Sequence, residues 1–241
     1  MKVTICQLHD EPGALPRDWE RLVAHTRMEH SDLVLLPEMP FFPWFATVRG
    51  FNARVWERAV ATHDAWEGRL EELAPAAVLG SRPIDFGNER CNAGFVWEQD
   101  TDLRGVHRKA CLPNQECPWE DSWFHPAIPD FVPVRVGDVN IGFLIGAELW
   151  MMEQARIYAR EHVHLLVTPR ATDAVTFDRW LLGGRVAAVL AGAFGLSSNR
   201  VDEVGRYGGQ GWIVNPDGDV LSLTSSKRPF LTFEIDLAPA L

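Results

Sequence analysis

Val139-Asn140-Ile141-Gly142-Phe143-Leu144-Ile145-Gly146-Ala147-Glu148-Leu149-Trp150 contains the most apolar strand-like run of the chain and breaks it on two small residues and a carboxylate. A run this rich in apolar residues reads as a strand of the central sheet. After Glu148 the spacing of Met151, Ala155 and Tyr158 predicts a helix to about Arg160 with those residues inward. Upstream, Val3–Leu8 reads as a strand and Pro16 opens a helix with Trp19, Leu22, Val23 and Thr26 on one face, ending near His30. Leu33–Leu36 is continuous and apolar, which suits a strand buried on both faces, and it stops at Pro37. Phe51–Leu73 is helical with a break about Asp64, and Ala77–Ser81, Ala93–Trp97 and Gly105–Arg108 are further strands. Downstream come a strand at His164–Val167 and a helix at Thr176–Ala191, whose small residues permit close packing. The last third reads as strands and hairpins with a turn at Asn215-Pro216-Asp217-Gly218. Short apolar strands alternating with amphipathic helices indicate an α/β protein.

With 241 residues and neither repeats nor a linker, one domain over residues 1–241 is expected. The formal net charge of −10 and the lack of a basic run argue against nucleic acid or an anionic membrane as partner. Four cysteines without a CxxC pair give neither zinc spacing nor a disulfide framework, and histidines form no HExxH pair. No apolar stretch reaches transmembrane length and the first residues resemble a strand rather than a signal peptide, so a cytoplasmic protein is expected.

Three ionisable groups sit where predicted strands end. Glu38 follows Leu35-Leu36-Pro37, Lys109 follows Val106-His107-Arg108, and Glu148 follows Ile145-Gly146-Ala147. Sites in open α/β sheets form beyond the carboxyl ends of strands, which makes such residues candidates for chemistry. The segment from Ala110 to Pro133 is rich in Pro and Trp and aperiodic, and a connection that long is often functional.

The flanks of these residues resemble the nitrilase (carbon–nitrogen hydrolase) superfamily. Leu35-Leu36-Pro37-Glu38-Met39-Pro40 is similar to its general-base segment, and His107-Arg108-Lys109 with Leu112-Pro113 to its lysine segment. Trp119-Glu120-Asp121-Ser122-Trp123-Phe124 is similar to the loop of its second glutamate. Ile141–Trp150 resembles the nucleophile elbow, and Pro169-Arg170-Ala171-Thr172, Ser198-Asn199-Arg200 and Gly209–Gly218 follow in the family's order. The resemblance implies a four-layer αββα sandwich and hydrolysis of a non-peptide C–N bond through a thioester, with no metal or organic cofactor. It also implies a role for each residue. Glu38 would be the general base, Lys109 and the Ala147 N–H would stabilise an oxyanion, and Glu120 would hold Lys109 charged. Phe41, Trp119, Trp150, Arg170 and Thr172 would contact substrate, Arg170 through a substrate carboxylate or instead through a structural ion pair. Phe42, Trp44 and Trp123 also flank these positions. The substrate would be a small amide, carbamoyl or nitrile-like compound; Ala147 directly after the elbow favours amides over nitriles. A homodimer or higher homo-oligomer would follow by analogy, with Leu149–Ala159 and Tyr158 supplying contacts.

One residue departs from the pattern: Gly146 stands in the nucleophile slot, where the family has cysteine. Three readings follow: a cysteine enzyme disabled on purpose, a natural pseudoenzyme binding an amide-like ligand or a protein partner, or a nucleophile relocated to Cys111 or Cys117. The first two predict negligible turnover, because the thioester step is closed. A rival from another class, a metal-dependent phosphoesterase, would need a late Ser-Asp-His, which is missing after His164.

Overall fold

The computed structural model describes residues 1–113 and 119–237. In chain order they form β1 (Lys2–His9), α1 (Leu15–Glu29), β2 (Leu33–Leu35), α2 (Ala53–Glu67), β3 (Ala77–Phe86), β4 (Glu89–Glu98), β5 (Asp102–Arg108), α3 (Glu120–Trp123) and β6 (Val134–Val136). There follow β7 (Val139–Phe143), α4 (Met152–Arg160), β8 (Leu165–Arg170), α5 (Phe177–Ala191), β9 (Phe194–Val201), β10 (Trp212–Val214), β11 (Val220–Leu223) and β12 (Phe230–Glu234). Single 3₁₀ turns lie at Leu70–Leu73 and Gly146–Trp150.

Strand β1 joins two halves. Its first residues pair in parallel with β2, from Val3 opposite Leu33 to Ile5 opposite Leu35, and its last residues pair in parallel with β9. The strand order is β5-β4-β3-β2-β1-β9-β8-β7-β6, with β12 on β1 and the β10–β11 hairpin on β9. Leu33, Leu35, Leu79 and Val96 of the first half share one apolar core with Ile141, Phe143, Leu165 and Val167 of the second. The opposite faces meet helices. Val34, Leu36 and Val78 pack under Trp19 and Leu22 of α1, and Leu166 and Trp212 pack under Tyr158 of α4 and Ala187 and Ala188 of α5. Because successive strand residues point to opposite faces, Leu33-Val34-Leu35-Leu36 serves both cores and must be apolar throughout. The result is the expected αββα sandwich.

Local chemistry accounts for the details. A Cβ on Gly184 would lie 2.7 Å from the Trp212 indole, so glycine there lets α5 rest on the sheet. At the Asn215–Gly218 turn the Asn215 side chain accepts from the N–H groups of Asp217 (3.1 Å) and Asp219 (2.7 Å). Helix α2 differs from expectation: it runs unbroken through Asp64 and ends at Gly68. Asp64 sits on the exposed side, where it and Glu67 pair with Arg82, so a poor helix former is tolerated. Asn52 caps the helix by accepting from Arg54 N (3.1 Å) and Val55 N (3.3 Å). Tyr158 also departs from its expected place at a subunit contact. It is fully buried, its hydroxyl donating to Phe143 O (3.0 Å) and accepting from Phe143 N (3.2 Å). Among the described residues no helix is long and apolar enough to cross a membrane.

Candidate active site

Four segments meet at the site. Glu38 follows β2 by way of Leu36 and Pro37, Lys109 follows β5, Glu120 opens α3, and Gly146 follows β7. Glu38, Lys109, Glu120 and Gly146 are all buried. The Lys109 ammonium donates to Glu38 Oε1 at 2.7 Å and to Glu120 Oε2 at 2.5 Å. Backbone bonds fix the arms: Glu38 N donates to Arg170 O (3.2 Å), and Arg200 Nε to Glu38 O (2.9 Å).

Asn92 of β4 grips both partners. Its side-chain Nδ2 donates to Glu38 Oε1 (2.7 Å) while its backbone carbonyl accepts from Lys109 N (2.8 Å). Sequence reading passed over Asn92, although a lone amide between Cys91 and the apolar run Ala93–Trp97 was the available signal. Buried polar side chains are nearly always bonded, so one inside a strand core points to a specific partner.

Burial disfavours the charge on Lys109, but the carboxylates of Glu120 and Glu38 outweigh it and hold the ammonium above the ordinary lysine range. Burial also pushes the Glu120 carboxyl up, to about 7, with Lys109 opposing and Glu38 adding to the rise. Both directions fit one triad: Lys109 stays charged, and Glu120 takes up a proton more readily than an exposed glutamate.

Gly146 adopts φ +53°, a conformation in which L side chains are strained. A Cβ built on it would lie 2.8 Å from Glu38 Oε2 and 3.0 Å from Lys109 Nζ. A side chain at this position would therefore emerge between the Glu38 carboxylate and the Lys109 ammonium.

Glu148, two residues on, has a structural task. It is fully buried; Oε1 accepts from Ala110 N (2.7 Å), and Oε2 accepts from Ile145 N (2.8 Å) and lies 2.8 Å from His107 Nε2. The carboxylate thus ties the end of β5, which carries Lys109, to the elbow that carries Gly146. Charge-assisted bonds of this kind are worth about 1.5–3 kcal/mol each, so Glu148→Gln is expected to cost at least about 2 kcal/mol in urea unfolding. An unchanged midpoint would contradict the brace.

A cavity of about 850 Å³ opens above the triad, bordered by Glu38, Glu120, Gly146 and Ala147 at its floor. Of the residues expected to contact substrate, Ala147, Trp150 and Thr172 line it, as does Trp44. Ala147 stands at the start of a helical turn, where N–H groups lack partners within the turn. Three expectations are corrected. Phe41 faces away from the cavity, stacked on Trp66 at 5.1 Å and packed in the core beneath α1. Trp119 is not among the lining residues; its ring lies under the Arg49 guanidinium at 5.0 Å. Arg170 is fully buried, donating to Ser197 Oγ (2.7 Å), Thr172 Oγ1 (2.6 Å) and Gln210 O (3.0 Å) over the Trp212 ring. Its guanidinium is used up in holding β8, β9 and the segment before β10 together, and Ser and Thr rather than an acid are its partners. Phe42 and Trp123 pack with Phe45 and Trp56 in an apolar cluster instead of lining the cavity.

Sequence reading missed two guanidinium groups on the cavity wall, Arg179 of α5 and Arg206. Arg179 lies over the Trp150 ring, 5.3 Å from its centre, and Trp150 in turn meets Trp180 at 5.6 Å. Neither arginine lies in a segment with family flanks, so only the folded chain brings them to the site. Cys111 is half-buried, does not line the cavity, and has its thiol pushed up by burial; these features oppose a nucleophilic role. Cys117 lies outside the described residues.

Comparison with known proteins bears on the family and the fold. Residues 2–240 match the family model described as carbon-nitrogen hydrolase. A citrullinase from Francisella tularensis is 24% identical, the match covering 92% of this chain and 84% of the relative. A chloroplastic omega-amidase from Arabidopsis thaliana is 28% identical over 97% of this chain and 67% of the relative. In structure, a carbon-nitrogen hydrolase from Helicobacter pylori superposes with a TM-score of 0.86 at 21% identity, covering all of this chain and 90% of the other. An amidase of the nitrilase superfamily from Nesterenkonia AN1, solved as a cysteine-to-serine mutant, superposes at 0.82 with 18% identity, covering 100% and 93%. With a family model spanning nearly all its length, the chain belongs to the carbon-nitrogen hydrolase family.

Proposed function

We propose that this protein binds a small amide or carbamoyl compound in the cavity above Gly146, in a site built for C–N hydrolysis whose thioester step is closed by the glycine. The observation that carries the reading is the convergence of Glu38 Oε2 and Lys109 Nζ on the place where a side chain of residue 146 would begin. A carbonyl lying over Gly146 would have its oxygen near the ammonium and its carbon within reach of the base, the arrangement acyl transfer needs. The relatives named citrullinase and omega-amidase, and a Nesterenkonia amidase mutant described in complex with acrylamide, fit an amide or carbamoyl ligand.

The cavity wall narrows the ligand further. Arg179 and Arg206 line the cavity wall with Asp173, away from the Glu38 and Glu120 carboxylates of the floor, and Asp173 Oδ1 already accepts from Thr176 N (2.7 Å) and Thr176 Oγ1 (2.9 Å). The balance favours a ligand whose far end carries a carboxylate. Calorimetry checks this by comparing glutaramate, the monoamide of glutaric acid, with propionamide. Glutaramate is expected to bind more tightly, and the double variant Arg179→Ala with Arg206→Ala to lose on the order of tenfold, since both groups are exposed and partly screened. Equal binding of the two amides would rule out the carboxylate; binding of neither would rule out the amide site.

A further inference from the structure

We infer that this site hydrolyses its amide slowly by direct attack of water, with Glu38 as base and with no acyl-enzyme. The inference rests on the amide-binding reading above and adds a reaction to it. Three observations carry it. First, the two oxygens of Glu38 are divided in use. Oε1 accepts from both Lys109 Nζ (2.7 Å) and Asn92 Nδ2 (2.7 Å), which fixes the carboxylate. Oε2 has no hydrogen-bond donor among the described residues and is the atom nearest the point where a side chain at 146 would start, 2.8 Å away. Second, both Glu38 and Gly146 border the cavity, so the space a thiol would fill beside Oε2 is continuous with the space for a ligand. Third, Lys109 lies on the other side of that point, 3.0 Å from it, and its charge is secured by two carboxylates.

In a cysteine enzyme the sulfur would stand between the base and the carbonyl carbon, and the base would act on water only after acylation. With glycine the base faces water and substrate from the outset. Water donates a proton to Glu38 Oε2 as its oxygen bonds to the carbonyl carbon, and the C=O π pair moves onto oxygen beside the Lys109 ammonium. The oxyanion then re-forms the carbonyl, the C–N bond breaks, and its electron pair takes the proton back from Glu38. Ammonia and a carboxylic acid leave, with every atom and electron accounted for and no oxidant or metal consumed. A positioned base contributes about 10²–10⁴-fold and an oxyanion donor about 10²–10³-fold, so turnover on the order of 10⁵-fold above spontaneous hydrolysis is expected.

The test is ammonia release from saturating glutaramate by the chain as it stands, with intact-protein mass spectrometry after an acid quench. The inference expects release at that level, no added acyl mass, and a fall of at least about 10²-fold in Glu38→Gln with glutaramate binding retained. Background release despite measured binding would overturn the water route while leaving the amide site intact. An acyl adduct would overturn it in favour of a thiol elsewhere, and release indifferent to Glu38→Gln would overturn the assigned base. Failure to bind glutaramate or propionamide would remove the underlying reading as well. The rate and mass measurements on the unaltered chain decide the matter even if Glu38→Gln does not fold.

Discussion

Gly146→Cys is expected to raise ammonia release from glutaramate by between about 10² and 10⁶-fold, the upper figure being what a covalent nucleophile contributes where it has been removed from a comparable set. The geometry supplies most of what a thiol needs. Its Cβ would emerge between Glu38 Oε2 and Lys109 Nζ. The carboxylate can take the thiol proton and the ammonium favours the thiolate, so the new cysteine should ionise more readily than a buried one with no such neighbours. Two costs work against it. A left-handed φ is unfavourable for an L side chain by about 1–2 kcal/mol, and the Cβ contact of 2.8 Å requires the Glu38 carboxylate to yield by a few tenths of an ångström. The first is a stability cost that the rest of the fold can carry. The second falls on the far end of a side chain. Gly146→Ala imposes both costs without a nucleophile and should remain slow. Intact mass after a quench should show an acyl adduct only in the cysteine variant. A folded Gly146→Cys protein that binds glutaramate but forms no adduct would contradict the placement of the slot.

Lys109→Met is expected to lower stability by about 3–5 kcal/mol at neutral pH, the usual loss when one member of a buried ion pair is removed. Met matches the length of Lys but leaves Glu38 and Glu120 as two buried carboxylates facing each other without a cation. In the intact protein each lies within 2.7 Å of the same ammonium. The sign of the pH dependence follows. Glu120 is already pushed up by burial to about 7 with Lys109 opposing, and removal of Lys109 removes that opposition. A carboxyl whose folded pKa lies above its unfolded value binds its proton more tightly in the native state, so folding is favoured as pH falls through the folded pKa and disfavoured above it. The deficit of Lys109→Met should therefore grow as pH rises from about 7, where Glu120 of the intact protein ionises and that of the variant does not, and be smallest between pH 5 and 7. Urea midpoints on both sides of pH 7 check this; a deficit independent of pH would mean that lost packing, and not exposed charge, is responsible.

Much of the framework was legible because burial on two faces leaves a strong mark on composition. The runs at Leu33–Leu36 and Val139–Ile145 hold a single polar residue, Asn140, and each ends within two residues of a group that borders the cavity. Glu38, Lys109 and Glu120 could be singled out because strand ends and their flanks are local features. What the sequence did not reveal depends on direction or distance in space. Phe41 is three residues from Glu38 yet faces the opposite core, because the chain turns sharply after Pro37, with Met39 at φ +44°. Arg170 looked available for a carboxylate because its partners, Ser197 and the Gln210 carbonyl, come from remote segments. Asn92 and Arg179 reach the site from the middle of a strand and from a helix, positions where one polar residue has many ordinary explanations. Asp64 shows the reverse error: a residue with low helix propensity was read as a break, whereas a salt bridge to Arg82 keeps it in place on α2.

Glu38, Lys109 and Glu120 form one buried group beside residue 146, and the proposed amide would lie over that residue. A crystal structure of the unaltered chain soaked with glutaramate tests it most directly. The expected result is a carboxamide above Gly146 with its oxygen hydrogen-bonded to the Lys109 ammonium and its carboxylate turned toward Arg179 and Arg206. An amide seated elsewhere in the cavity, or a Lys109 ammonium detached from both glutamates, would contradict the account.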